Sequence, residues 1–132
     1  MLSRNWLAFL QAQEPRCIGV CLVDDTIREH LKAQTSLVQI DRGYVLKILT
    51  KHRISTDELW RIGATINKGI AIEDKNNRVT FIHEAPSNSG QYFQATIKIA
   101  ASRNEIYVCT FHRLRPAEKR RRLREARIIR GK

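Results

Sequence analysis

From Gly69 onward the spacing of apolar residues shifts from three or four to two, and no other feature constrains the fold as much. A period near 3.6 lines up one face of a helix, whereas a period of two lines up one face of a strand. Before the shift, Val45, Ile48 and Leu49 recur at helical spacing behind Asp41, a residue suited to capping a helix. Ser55-Thr-Asp-Glu58 has capping-box spacing, which predicts a helix over 56–67 with Leu59, Ile62 and Ile66 inward and Gly69 at its end. After the shift, Ile70-Ala-Ile72 is a short apolar stretch and residues 74–77 are turn material. Residues 78–83 alternate, with Val79, Phe81 and His83 on one side. Residues 91–100 alternate cleanly, setting Phe93, Ala95, Ile97 and Ile99 against Tyr92, Gln94, Thr96 and Lys98. Residues 106–112 form the last expected strand. Helices followed by consecutive antiparallel strands predict an α+β fold: N-terminal helices packed on an antiparallel sheet of about four strands, closed by a basic C-terminal helix.

The first 40 residues fit that plan less directly. A short helix is expected over 3–13, with Trp6, Leu7, Phe9 and Leu10 as its apolar face and Pro15 as its stop. The continuous apolar run 17–23 reads as a buried strand, Asp24-Asp25-Thr26 opens a turn or helix through Ile27 and Leu31, and 36–40 is a short extended segment. At 132 residues the chain is expected to be a single domain. No apolar run approaches the roughly 18 residues that span a bilayer. The N-terminus lacks the pattern of a signal peptide, so no membrane partner is expected. Three cysteines, Cys17, Cys21 and Cys109, are an odd number without framework spacing and read as reduced thiols of a cytoplasmic protein. Cys17 and Cys21 have no second pair of ligands at useful spacing, and no glycine-rich phosphate loop is present, so no metal and no cofactor are expected.

Charge is distributed very unevenly. Residues 113–132 hold ten Lys/Arg and two Glu, a net of +8, out of a total of +11. The remaining 112 residues carry only +3, from 14 basic and 11 acidic side chains. A near-neutral body with a strongly basic end is an electrostatic footprint for a polyanion, nucleic acid first. Pro116 suits the first turn of a helix over 116–129 with Leu123, Ala126 and Ile129 as a thin apolar stripe. Its cations Lys119, Arg120, Arg121, Arg122, Arg124 and Arg127, with Arg113 and Arg115 before it and Lys51 and Arg53 elsewhere, are the candidate phosphate contacts. The plain alternative is a solvated helix that aids solubility.

Two histidines stand near expected element ends. His52 closes the helix that starts at Asp41, where the dipole favours a charged ring, and a purely structural role is the ordinary expectation. His112 shares a strand side with Thr110. The last strand sets Ile106, Val108, Thr110 and His112 against Tyr107, Cys109, Phe111 and Arg113; both sets are mixed, so the sequence does not say which faces the helices. RNA cleavage by its own 2′-hydroxyl needs a base, an acid and cations on the phosphate, and no metal. His52, His112, Thr110, Arg78 and Lys98 are the residue types such a site uses. A two-metal nuclease is set aside, because the two adjacent acidic pairs that stand out, Asp24-Asp25 and Glu73-Asp74, fall in expected turns. A Cys109–His nucleophilic pair is open but unselected.

The stretch Val45-Leu-Lys-Ile-Leu-Thr-Lys-His52, the helix behind Ser55, the alternating strands and the closing Tyr107-Val-Cys-Thr-Phe-His112 resemble phage-associated members of the barnase–EndoU–colicin–RelE superfamily. The resemblance spans residues 35–115, a nuclease-like core, with 116–132 as a basic addition. It implies a small α+β domain, metal-independent ribonuclease activity, His52 as the helix-end histidine and Thr110 as the last-strand hydroxyl. Kinship with toxins further implies a protein inhibitor as a partner beside RNA. The sequence therefore leads to a metal-independent endoribonuclease, toxin-like in kind. The competing expectation is a non-catalytic nucleic-acid-binding module of a phage or mobile-element assembly, and a third is an interaction protein docking through Trp6, Leu7, Phe9 and Leu10.

Overall fold

The computed structural model describes residues 6–12, 16–51, 54–75 and 77–131, the side chains of Trp6 and Leu7 excepted. In chain order the elements are α1 (Trp6–Gln11), β1 (Cys17–Leu22), α2 (Asp25–Leu31), β2 (Leu37–Asp41), α3 (Arg42–Lys51), a 3-10 turn (Thr56–Glu58), α4 (Arg61–Lys68), β3 (Ile70–Asp74), β4 (Arg78–Glu84), β5 (Tyr92–Ile99), β6 (Ile106–Leu114), α5 (Pro116–Glu125) and β7 (Ile128–Arg130). The strands form one sheet of seven, ordered β1-β2-β6-β5-β4-β3-β7.

This corrects the expected sheet of about four antiparallel strands. The meander β3–β6 is antiparallel throughout, as its periodicity dictates. The sheet is nevertheless mixed, because β2 joins the outside of β6 in parallel through Val38–Ile106 and Gln39–Tyr107. That pairing joins segments far apart in sequence, so no local pattern announces it. Among the described residues β1 pairs only with β2 and is an edge strand, so the expected buried strand is buried at Val20 and Cys21 but half-buried at Cys17–Gly19 and exposed at Leu22.

The tail departs further. α5 ends at Glu125, and the chain then adds β7 to the edge of β3. Arg130 drives this ending. Its guanidinium reaches Asp24 at 3.0 Å and donates to the carbonyls of Ile66 and Gly69 at 2.7 and 2.8 Å, closing the C-terminus of α4. The expected helix over 56–67 divides as well. Its first turn is 3-10, with Glu58 Oε1 accepting from the Ser55 N–H at 3.0 Å, and α4 begins only at Arg61.

α1–α4 cover one sheet face. Phe9, Ile27, Leu31, Val45, Ile48, Leu59, Ile62 and Ile66 pack against Val79, Phe81, Phe93, Ala95, Ile97, Val108 and Phe111. Phe93 and Phe111 stack with centroids 5.7 Å apart. The buried position of Phe9 places the helix at 6–11 on the protein's own core rather than on a partner. Among the described residues the other face carries only α5, seated through Leu123, with Ala126 just past its end, on Ile70, Ile72, Ile82, Tyr92 and Leu114.

Candidate nucleic-acid interface

The α5-bearing face is read row by row from the strand register. One row runs Arg78–Lys98–Tyr107, the next Thr80–Thr96–Thr110, the next Ile82–Gln94–His112 and the last Glu84–Tyr92–Leu114. α5 covers the last rows and leaves the first ones polar. Rows lie about 7 Å apart along the strands and neighbouring strands about 4.8 Å apart. Thr110 is thus central. His112 stands one row to one side of it, and Lys98 stands diagonally one row to the other.

A β-bulge makes this arrangement. Thr96 faces Thr110 and Ile97 faces Val108, so Cys109 is the extra residue on β6. Ile106 and Val108 point to the helical core before the bulge, and Phe111 points there after it. The bulge is why both alternation sets look mixed in the sequence: neither set keeps one face along the whole strand. α3 braces the distortion, since the Phe111 N–H donates to Tyr44 Oη at 3.1 Å. Burial pushes the Tyr44 hydroxyl up to about 12, so it stays protonated. Sequence reasoning missed Tyr44, and only the broken alternation of β6 hinted at the bulge.

Hydrogen bonds account for part of the face. Thr80 Oγ1 donates to Asp74 Oδ2 at 3.0 Å and accepts from Thr96 Oγ1 at 2.8 Å. His112 is held at both ring nitrogens: Nδ1–H donates to the Arg113 carbonyl at 2.8 Å, and Gln94 Nε2 lies 3.3 Å from Nε2. In that pattern Nδ1 carries the proton given to the carbonyl and Nε2 faces the Gln94 amide. Burial raises the Cys109 thiol, and Arg78 and Lys98 only partly oppose it, so a thiolate nucleophile is disfavoured there.

The rest of the face is under-satisfied. Among the described residues, five buried side-chain polar atoms have no hydrogen-bond partner: Thr65 Oγ1, Arg78 Nε, Gln94 Oε1, Thr110 Oγ1 and Arg122 Nε. Three belong to the polar rows and a fourth to the helix lying over that face. Native proteins leave few such atoms, and a cluster of them calls for a physical reason.

The sequence candidates separate accordingly. Arg78, Lys98, Thr110 and His112 share one face. His52 and Arg53 lie outside the described residues. Lys51 is exposed at the end of α3. Arg113 is on the opposite face, opposite Phe93 in register, where it grips both oxygens of Glu58 at 2.5 and 2.6 Å. Arg113, a candidate phosphate contact from sequence, therefore lies on the other side of the sheet from Thr110 and His112. Several tail cations are also engaged: Arg115 with Glu118, Arg121 with Glu125 and Arg127 with Glu73. Lys119 Nζ stands 4.9 Å from the centroid of the Tyr92 ring. Arg120 and Arg124 are exposed with no ion pair among the described residues, while Arg122 lies half-buried beside Leu123.

No described helix is long and apolar enough to cross a membrane. Among the described residues no group of three or more His, Cys, Asp or Glu is arranged to hold a metal ion. No protein-family model, curated protein or solved structure matches this chain.

Proposed function

We propose that this protein is a cytoplasmic ribonuclease that binds RNA across the α5-bearing sheet face and cleaves it by 2′-hydroxyl transesterification. The observation that carries the reading is the set of unpartnered buried groups on that face: two guanidinium Nε–H donors, one hydroxyl and one amide oxygen. Phosphodiester oxygens match the donors, and ribose hydroxyls match the amide oxygen. Thr110 orients the phosphate, while Arg78 and Lys98 stabilise the charge that grows on its oxygens. One histidine takes the 2′-hydroxyl proton as the new O–P bond forms, and the other protonates the departing 5′-oxygen. His112, released from Gln94, fills one role; the other goes to His52 on the resemblance alone, since α3, which it follows, packs on the opposite sheet face.

The test is incubation of labelled RNA with the protein in EDTA, beside His52→Ala and His112→Ala. Cleavage by wild type that falls at least a hundredfold in each variant is the expected result. Unchanged cleavage in both variants overturns the mechanism.

One observation favours a second reading. Both nitrogens of His112 are already engaged, and the outer side of α5 offers exposed arginines, which suits a module that binds nucleic acid without turnover. Tight, strongly salt-dependent binding with no cleavage by wild type selects it.

A further inference from the structure

A second cleft, of 450 Å³, opens where the end of α4, the far ends of β4 and β5 and α5 meet. Its walls carry Lys68 and Lys119, its floor is apolar at Ile82 and Leu123, and His83 and Glu84 border it. Among the described residues Glu84 is the only carboxylate lining it, and its Oε2 already accepts the Gly90 N–H at 2.8 Å. Neither lysine has an ion pair among the described residues; Lys119 is placed by the Tyr92 ring instead. Lys68, from α4, and Lys119, from α5, thus line one cleft with no acidic partner among the described residues, an excess of positive charge that a bound anion offsets. The volume suits a ligand of nucleotide size. We propose that this cleft is a phosphate-binding subsite, in which Lys68 and Lys119 hold the anion while His83, at its border, reports the charge it brings.

His83 already senses the local charge. Burial, then Lys68 and Arg61, lower its pKa, and Glu84 only partly opposes them. A bound phosphate reverses the sign of the nearest field and draws a proton onto the ring. Tyr92 lies four residues from Thr96 on β5, which puts the cleft about 13 Å from the Thr110 row. The subsite therefore takes a different phosphate from the one at Thr110. Assigning that phosphate to the same RNA strand rests on the nucleic-acid reading; the anion site itself does not.

The experiment follows the His83 imidazole by NMR while inorganic phosphate is added to the intact protein. The expected result is a rise in its titration midpoint, with Lys68→Gln/Lys119→Gln weakening phosphate at least tenfold and Lys68→Arg retaining it. A 2′-O-methyl oligonucleotide, which cannot be cleaved by transesterification, supplies the second arm. Competition with phosphate at His83 assigns the subsite to the RNA strand; a phosphate response without competition supports the anion site and removes RNA as its source. A midpoint unmoved by phosphate and by oligonucleotide overturns the proposal. Because the readout needs no turnover, a protein that cleaves nothing still gives a decisive answer.

Discussion

The two faces of the sheet are built by different rules. On the helical face, Val79, Phe81, Phe93, Ala95, Ile97 and Phe111 are fully buried, and four helices close over them. On the other face a single ten-residue helix rests on a small apolar patch, and the remaining rows keep threonines, an amide, a histidine and cations. The first arrangement removes apolar surface from water and dominates stability. The second retains polar groups whose burial is costly without partners. A chain that spends one face on packing and leaves the other under-satisfied has separated stability from ligand recognition.

That contrast can be broken most decisively at Phe93. Phe93→Ala removes a stacked, fully buried ring and is expected to cost about 3–5 kcal/mol, read as a lower denaturant midpoint. A loss under about 1 kcal/mol there contradicts the division. The opposite face should respond in the opposite way. Thr110→Val deletes a buried hydroxyl that has no partner, so stability should hold or rise slightly while RNA cleavage drops about a hundredfold. Equal loss of stability and activity would return Thr110 to a structural role.

A smaller effect sharpens the boundary between the faces at Glu58. Burial raises its pKa, but the Ser55 N–H and the Arg113 guanidinium outweigh burial and hold the carboxyl below its ordinary value. A carboxyl lowered by folding stabilises the protein fully above the unfolded pKa, and that contribution is lost as pH falls through the folded one. Glu58→Gln should therefore flatten the acid limb of the stability–pH curve and cost about 1 kcal/mol at neutral pH, modest because Arg113 stays open to solvent. An unchanged acid limb removes the pair from the account. The smallest stability effect belongs to the outer side of α5. Arg120→Ala/Arg124→Ala should change stability by less than about 0.5 kcal/mol. The same variant should lower the slope of log binding against log salt by about two. An unaltered slope excludes that side from the RNA path.

Much of the meander was legible before any coordinates. The alternation at 91–100 correctly separated Phe93, Ala95, Ile97 and Ile99 from Gln94, Thr96 and Lys98, because a strand buried on one face must alternate. His83, set by the same alternation on the side of Val79 and Phe81, is half-buried. β6 resisted it, since a one-residue bulge at Cys109 reverses the alternation, and the brace from Tyr44 comes from a helix distant in sequence. The tail misled for a related reason. Leu123, Ala126 and Ile129 fit a helical stripe, yet Arg130 gains carbonyls on α4 and a carboxylate on Asp24 only if the chain unwinds and pairs with β3.

By itself, then, the sequence determined the α+β character of the protein, the sidedness of its central strands and the concentration of positive charge at its end, since each follows from local periodicity or composition. Tertiary structure alone decided that the sheet has seven strands with β2 parallel to β6, that Arg113 is tied to Glu58 on the packed face, and that Thr110, His112, Lys98 and Arg78 share the other. The reason is physical. Backbone hydrogen bonds between distant segments, a bulge and a guanidinium choosing among acceptors all depend on groups that meet only after the chain has folded.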